Sequence, residues 1–245
     1  MFIHNINPVL VNFFGLEIRY YGLVYVIGFL LILFILMKQR DKLRLTKDDV
    51  YDYVFYLIIF TVIGARIFNI MFYNPLFYFS NPLEMLMIWK GGLSFHGALT
   101  GIIIWTYIFT KKKKLRFYDV SDILVIPGAF MLFLGRIANF INGELVGKIT
   151  DLPWGVKFNN YEGYRHPTQI YESLKNLFIF FILLFLKNKN LKKGTLSWLF
   201  VLFYGVLRFT IEFMKEQTSF IFGLPVAHVL SGFMISTSLW FLLKK

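Results

Sequence analysis

The polar side chains best suited to chemistry lie within apolar stretches, and three of them recur at every fourth position. Tyr204, Arg208 and Glu212 are each separated by four residues. Residues at this spacing lie on one face of an α-helix, so the three side chains would point in the same direction. Arg208 could bind phosphate oxygens through its planar guanidinium, which stays charged when buried. This face is therefore a candidate site, whose charges either pair with each other or line a cavity.

A second polar group offers a similar set of side chains. Arg136 and Asn139 are three residues apart, and Glu144 follows five residues later. Arg136 supplies a second cation, and the Asn139 amide can both donate and accept hydrogen bonds. Glu144 and Glu212 are the carboxylates near these cations. The simpler alternative is a structural network, in which Arg208 pairs with Glu212 and the two charges of the second group pair likewise.

His96 is the candidate general base, because the ordinary pKa of a histidine, about 6.5, lies near working pH. The alternative is that His96 only donates a hydrogen bond behind the reacting groups. His166 precedes Pro167 and fits either a loop residue or a ligand. The sequence contains no cysteine, which excludes disulfides, Fe–S clusters, thiolate zinc sites and a cysteine nucleophile within the chain. We predict neither a bound metal nor a cofactor.

The composition indicates that membrane-spanning helices hold these side chains. Of the 245 residues, 57% are hydrophobic and 16% are charged, whereas soluble domains carry about 25% charged residues. A bilayer core of about 30 Å needs roughly 20 apolar residues in a helix. Seven runs fit this length, with the first, third and seventh the clearest: Tyr20–Met37, Tyr53–Phe72, Leu93–Thr110, Asp122–Ile141, Gln169–Leu186, Leu196–Met214 and His228–Leu243. We therefore predict an all-α integral membrane protein with one polytopic domain over residues 1–245.

Lysine and arginine residues predict the orientation of the spans, because they are enriched in cytoplasmic connections. Sixteen of the 26 basic residues fall on one side, in the first, third and fifth connections and at the C-terminus: Lys38, Arg40, Lys42, Arg44, Lys47, Lys111, Lys112, Lys113, Lys114, Arg116, Lys187, Lys189, Lys192, Lys193, Lys244 and Lys245. The N-terminus is then outside and the C-terminus cytoplasmic. The net charge of +12 accordingly predicts contact with anionic membrane lipid, and no nucleic-acid partner.

Two outer segments do not read as simple loops. Pro75–Lys90 mixes aromatic and aliphatic residues with a few polar ones. It is too short and too polar to span, so it is predicted to be an interfacial or re-entrant arm. Gly143–Pro167 is polar and is predicted to be an ordered outer loop or small head. In this topology, polar side chains from five spans gather in one layer near the outer face. Intramembrane charges usually line cavities or pair with each other, so a transporter is the alternative to an enzyme, although its path should cross the membrane.

Five blocks of the sequence resemble the prolipoprotein diacylglyceryl transferase family, and they follow the family's order along nearly the whole chain. The most specific is GRIANFINGELVG at Gly135–Gly147. The others are EIRYYGL at Glu17–Leu23, GGLSFHGALTG at Gly91–Gly101, RHPTQIYE at Arg165–Glu172 and YGVLRFTIEF at Tyr204–Phe213. One departure concerns the last span, which the family usually enters through a Met-Gly-Gln-like triplet. Here the corresponding residues are Val226-Ala227-His228, so His228 either replaces the glutamine or caps the helix.

The resemblance implies a transferase that moves the diacylglyceryl group of phosphatidylglycerol onto the lipobox cysteine of a prolipoprotein signal peptide. The products would be a thioether and glycerol phosphate, in the first step of bacterial lipoprotein maturation. It also implies seven transmembrane helices in the bacterial plasma (inner) membrane, with the active site toward the outer leaflet. The partners would be phosphatidylglycerol, the prolipoprotein and the surrounding membrane lipid.

The resemblance also implies roles for individual residues. Arg136 would belong to the lipid head-group site and Arg208 would be a second essential cation, both as ligands of the phosphate. Asn139 would bind a head-group hydroxyl, and Glu144 and Glu212 would orient the arginines or bind glycerol hydroxyls. Tyr21 would hold lipid or close the site, and Gly147 would belong to the substrate site. The proton of the cysteine thiol would pass to His96, or the arginines would lower the pKa of the thiol and the proton would leave through Tyr204 or water.

Overall fold

The computed structural model describes residues 2–13, 16–216, 220–221 and 223–244, and helices dominate it. Its eight α-helices are α1 (Tyr20–Leu43), α2 (Lys47–Phe72), α3 (Pro75–Ser80), α4 (Phe95–Lys112), α5 (Phe117–Ile141), α6 (Thr168–Leu186), α7 (Thr195–Glu212) and α8 (Val226–Leu243). All seven predicted apolar runs are helical. Several helices extend beyond the apolar run into charged residues. For example, α2 begins at Lys47 because Thr46 and Asp49 form a reciprocal capping box at its N-terminus.

Six of these helices are long and apolar enough to cross a membrane, namely α1, α2, α5, α6, α7 and α8. They identify a helical integral membrane protein. The predicted third span, Leu93–Thr110, is the helix α4 but does not belong to the six. Its 18 residues include His96 near one end and Lys111 and Lys112 at the other, which lowers its mean hydropathy. The prediction that this run is a span is therefore not confirmed by its length and composition.

Short strand pairs accompany the helices, and the sequence did not predict them. The pairs are β1 (Phe2–His4) parallel to β4 (Val156–Phe158), β2 (Val9–Phe13) antiparallel to β3 (Leu16–Arg19), and β5 (Phe220–Ile221) antiparallel to β6 (Leu224–Pro225). The first pair connects the N-terminal residues to the segment Gly143–Pro167. Within it His4 is only 5% exposed and its Nε2 lies 2.7 Å from the Phe140 carbonyl oxygen.

The chain divides into two compact units, one made of Met1–Leu30 with Asp122–Lys245 and the other of Leu31–Ser121. In the first unit, α5, α6 and α7 share an apolar core of Ile126, Ala129, Ile179, Leu183 and Leu196. The Asp122 carboxylate also accepts hydrogen bonds from the backbone of Gly194 at 2.6 Å and of Ser197 at 2.9 Å. These contacts satisfy otherwise unpaired N–H groups at the start of α7 and fix it to α5.

In the second unit, α2 and α4 pack backbone to backbone. A Cβ at Gly97 would lie 2.2 Å from the Gly64 carbonyl oxygen, and one at Gly101 would lie 2.0 Å from the Phe60 carbonyl oxygen. Small residues of this kind allow two membrane helices to approach closely. Gly97 and Gly101 therefore have a packing role.

The predicted arm is held by a single buried arginine. It consists of α3 and two 3₁₀ helices, Pro82–Leu86 and Ile88–Lys90. Arg66 of α2 is 6% exposed and donates to the carbonyl oxygens of Glu84, Met85, Met87, Gly91 and Gly92 and to the Tyr78 hydroxyl. Meanwhile Leu76, Leu83, Leu86 and Trp89 expose at least 74% of their surface. Arg66 thus organises the backbone of the arm, whose interfacial location stays a prediction.

Candidate active site

The centre of the polar cluster in the first unit is Glu172. It lies one turn into α6, where Thr168, Gln169 and Ser173 are also at most 1% exposed, and its own side chain is 1% exposed. Its carboxylate lies 2.5 Å from the Lys175 Nζ and 2.7 Å from the Lys215 Nζ. Two arginines are also within ion-pair range, Arg208 at 3.3 Å and Arg136 at 3.9 Å. A buried carboxylate requires such pairing because desolvation penalises its charge.

The four cations divide evenly between the two carboxylate oxygens of Glu172. Oε1 faces Lys215 and Arg208, whereas Oε2 faces Lys175 and Arg136. Each oxygen therefore has one lysine at a short distance and one arginine at a longer distance. The two arginines that the sequence predicts as phosphate ligands are thus brought to opposite oxygens of one carboxylate.

The predicted polar face of α7 is part of the same cluster. The Arg208 Nη2 lies 3.4 Å from Glu212 Oε2, one turn further along the helix. Tyr204 lies one turn before Arg208. The Lys175 Nζ lies 3.8 Å from the centroid of the Tyr204 ring, within the range of a cation–π contact. The structure therefore brings Tyr204, Arg208 and Glu212 together, as their spacing predicts.

The second predicted group forms a chain of hydrogen bonds that begins at Arg136. Its Nη1 donates to Asn139 Oδ1 at 3.5 Å, and the Asn139 Nδ2 donates to Glu144 Oε1 at 2.7 Å. The side chain of Asn142 donates to the same Glu144 oxygen at 3.2 Å, and Gln169 holds the Glu144 carbonyl oxygen at 2.6 Å. Asn139 therefore connects Arg136 to Glu144 through hydrogen bonds. The structural network considered from the sequence instead has Arg136 and Glu144 in a direct ion pair.

Gly147 is fixed by close packing on its Cα. A Cβ there would lie 2.6 Å from the Met214 carbonyl oxygen and 2.7 Å from the His166 Cβ. Its N–H donates to the His166 carbonyl oxygen at 2.9 Å, and its own carbonyl accepts from Arg165 at 3.1 Å. These contacts explain why a glycine is required, while a contact with substrate stays a prediction.

The electrostatic balance of the cluster favours an anionic ligand. Arg136, Lys175, Arg208 and Lys215 face the carboxylates of Glu172 and Glu212. The arginine side chains keep 18% and 26% of their surface exposed, whereas Glu172 and Lys175 keep 1% and 2%. The cluster has more cations than carboxylates, and its more exposed cations are the two guanidinium groups. Their planar geometry suits phosphate oxygens.

Two predicted site residues have different surroundings. Tyr21 lies in the first turn of α1, and its ring centroid is 5.6 Å from that of Tyr25. His96 belongs to the second unit, where its ring stacks on Phe68 at 6.0 Å and meets Phe95 edge-on. Their proposed contacts with lipid and thiol stay predictions.

The two remaining histidines have local aromatic neighbours. The His166 Nδ1 lies 3.3 Å from the Tyr171 hydroxyl, and the Trp154 Nε1 donates a hydrogen bond to that hydroxyl at 2.8 Å. Burial and the nearby positive charge of Lys148 lower the pKa of His166, so it is held in the neutral form.

The His228 ring contacts two phenylalanine rings, with centroids 4.7 Å from Phe209 of α7 and 4.6 Å from Phe213, the C-cap residue of that helix. The residue at the N-cap of α8 is Pro225, without a side-chain capping hydrogen bond, so His228 does not cap the helix.

Sequence reasoning missed three charged members of the cluster, namely Glu172, Lys175 and Lys215. Glu172 and Lys175 lie one turn apart inside an apolar helix, a placement that by itself indicates a buried ion pair. Lys215 follows α7 by three residues and has no such signal. Among the residues that the structure describes, no three histidine or carboxylate side chains come together as metal ligands.

Comparison with known proteins gives one consistent family. Residues 8–244 match the family described as prolipoprotein diacylglyceryl transferase. A phosphatidylglycerol–prolipoprotein diacylglyceryl transferase of Geobacter sulfurreducens is 42% identical over 216 residues, which cover 86% of this chain and 83% of the relative. Relatives of the same name are 40% identical in Rickettsia bellii, over 98% of this chain and 95% of the relative, and 43% identical in Rickettsia rickettsii, over 93% and 92%.

Proposed function

The chain belongs to the prolipoprotein diacylglyceryl transferase family, and from this premise we propose that it joins the diacylglyceryl group of phosphatidylglycerol to the lipobox cysteine of prolipoproteins. The relatives are named as transferases that act on phosphatidylglycerol and prolipoprotein. The transporter alternative has no support among them. The chain is accordingly a transferase.

The observation that supports a phosphate-binding role is the pairing of Arg136 and Arg208 on the two oxygens of Glu172. Phosphatidylglycerol carries a single negative charge on its phosphodiester, and the cluster has more cations than carboxylates. Guanidinium groups bind phosphate oxygens bidentately. We assign these two arginines to the phosphate and Asn139 with Glu144 to the hydroxyls of the head group.

The reaction requires one bond to form and one to break. The cysteine sulfur, as thiolate, forms a bond to the glycerol carbon that carries the phosphate. The bond between that carbon and the phosphate oxygen breaks, and its electron pair leaves with glycerol phosphate. Negative charge therefore develops on the phosphate in the transition state, where fixed guanidinium groups stabilise it most.

Two routes are proposed for the proton of the thiol. His96 accepts it directly, or the cationic cluster lowers the pKa of the thiol and the proton leaves through Tyr204 or water. Glu212 orients Arg208, which it contacts at 3.4 Å. We assign Tyr21 to contact with the lipid. We assign Gly147 to the substrate site, where the close packing on its Cα supports the adjacent backbone.

The proposed topology has seven spans in the plasma membrane of a bacterium, with the N-terminus outside. The 18 residues of α4 are about 27 Å long at 1.5 Å per residue, close to the thickness of a bilayer core, so α4 is long enough to serve as the seventh. The basic connections then face the cytoplasm, and residues 75–90 and 143–167 form the outer arm and head. The active site in this arrangement opens toward the outer leaflet, where a translocated cysteine arrives.

The test is transfer by purified protein in vesicles that contain phosphatidylglycerol and a lipobox peptide. We expect the wild type to add the mass of the diacylglyceryl group to the peptide, and R136Q, R208Q and H96Q to lose this activity while remaining folded in the membrane. A peptide in which serine replaces the cysteine is the substrate control. Full activity in all three variants would contradict the assignment, and solute flux without lipidation would favour a transporter.

A further inference from the structure

Glu172 has no role in the scheme above, although four cations face its carboxylate. We propose that Glu172 is a positioning residue that sets the separation and orientation of Arg136 and Arg208 for the phosphate that leaves during transfer. This inference rests on the proposed function. Glu172 is not expected to contact either substrate and would act through the two arginines.

The first step of the argument is that Glu172 is itself firmly held. Its carboxylate has 1% exposure and two lysines at 2.5 and 2.7 Å, one on each oxygen. Lys175 is from the same helix, and Lys215 comes from the segment after α7. Because the anchors approach from two elements, the plane of the carboxylate is fixed relative to both α6 and α7.

The second step is that the arginines are arranged around this fixed carboxylate. Arg208 lies 3.3 Å from Oε1 and Arg136 lies 3.9 Å from Oε2. These distances are longer than those of the lysines, and the arginine side chains are more exposed. The guanidinium groups are therefore oriented by Glu172 while keeping donors available for phosphate oxygens.

The third step concerns the number of cations. Lys175 alone, 2% exposed and 2.5 Å away, is sufficient to neutralise one carboxylate. Arg208 and Lys215 also face Glu212, so four cations surround two carboxylates. This is more positive charge than neutralisation requires, and Glu172 is the carboxylate that both arginines share. The rival explanation is purely structural, in which Glu172 serves only to compensate the buried charge of Lys175.

A pair of variants separates these explanations. E172Q preserves the shape of the side chain but removes the charge that orients the arginines, and it leaves Lys175 uncompensated. E172Q/K175Q removes both charges, so no lysine in α6 is left buried without its partner. If Glu172 only compensates Lys175, the double variant should regain the activity of the wild type.

The experiment measures kcat and KM for phosphatidylglycerol with the full chain in vesicles. We expect kcat to fall about 100-fold in both E172Q and E172Q/K175Q, the size of effect seen when one oriented donor to a developing oxyanion is lost. We expect KM to change by less than about threefold, because the arginines remain present and act mainly in the transition state. E172D, which retains the charge, should recover part of kcat.

The control is D41N, which makes the same carboxylate-to-amide change at a side chain that is 86% exposed. It should retain wild-type kcat. If E172Q does not fold, the charge-balanced double variant carries the test. Wild-type kcat in the folded double variant would overturn the positioning role, whereas a wild-type enzyme that transfers nothing would instead overturn the proposed function.

Discussion

Arg208→Lys tests the phosphate site, because it keeps the positive charge and removes the planar guanidinium. In the structure, Arg208 uses Nη1 toward Glu172 at 3.3 Å and Nη2 toward Glu212 at 3.4 Å. A lysine ammonium is a compact point charge and cannot reproduce this two-sided geometry together with a bidentate contact to phosphate. The variant therefore separates the contribution of charge from that of geometry.

The expected magnitude follows from the contacts that the variant loses and keeps. A hydrogen bond to a charged group contributes about 1.5–3 kcal/mol. Loss of one such bond in the transition state, at about 2 kcal/mol, corresponds to roughly a 30-fold lower kcat/KM. The fold should survive, because Glu172 keeps Lys175 at 2.5 Å and Lys215 at 2.7 Å.

The assay is peptide lipidation by R208K and R208Q in vesicles, with thermal unfolding in detergent as the check on folding. R208Q loses charge as well as geometry and should be roughly 100-fold to 1,000-fold slower than the wild type. A kcat/KM for R208K equal to that of the wild type would refute the assignment of the guanidinium to phosphate.

Three further predictions concern stability and the outer segments. Gly147→Ala should destabilise the protein by about 1–3 kcal/mol through overpacking, measured as a lower unfolding temperature, and an equal temperature would contradict the packing role. Arg66→Met should release the arm, since five carbonyl oxygens and one hydroxyl lose their donor. Limited proteolysis should therefore cut within residues 75–90 faster than in the wild type. Unchanged cleavage would be inconsistent with a role of Arg66 in holding the arm. Burial and the positive charge of Lys148 lower the pKa of His166, so the unfolded chain binds a proton at this histidine more readily than the folded chain. The free energy of unfolding should therefore fall as pH falls through about 6.5. H166N should weaken this pH dependence, and an unchanged pH dependence would exclude a contribution from His166.

The helices could be predicted because each of them carries its own signal. Apolar runs of about 20 residues are local features, and basic connections mark their ends. Their bounds were less predictable, since capping residues such as Thr46 and Asp49 extend a helix into charged sequence. The strand pair β1–β4 could not be predicted, because its two strands lie more than 150 residues apart in sequence and neither is long enough to show a pattern.

The site was predicted in part for a similar reason. Tyr204, Arg208 and Glu212 share a helical face, so their spacing alone places them together. Glu172 and Lys215 are joined only by the packing of α6 against α7 and the segment that follows, which the sequence does not specify. Arg66 is buried in the apolar helix α2, where it donates to backbone carbonyl oxygens that are 19 to 26 residues away in sequence. The sequence does not reveal this role, because the partners are backbone atoms.

The central claim, that this chain joins phosphatidylglycerol to a cysteine with loss of glycerol phosphate, is tested most directly by the stoichiometry of the two products. Vesicles would contain phosphatidylglycerol labelled in its terminal glycerol, together with purified protein and a lipobox peptide. We predict one labelled glycerol phosphate released for each thioether-linked peptide, and neither product with R136Q/R208Q. Release of label without peptide lipidation, or lipidation without release, would contradict the proposed reaction.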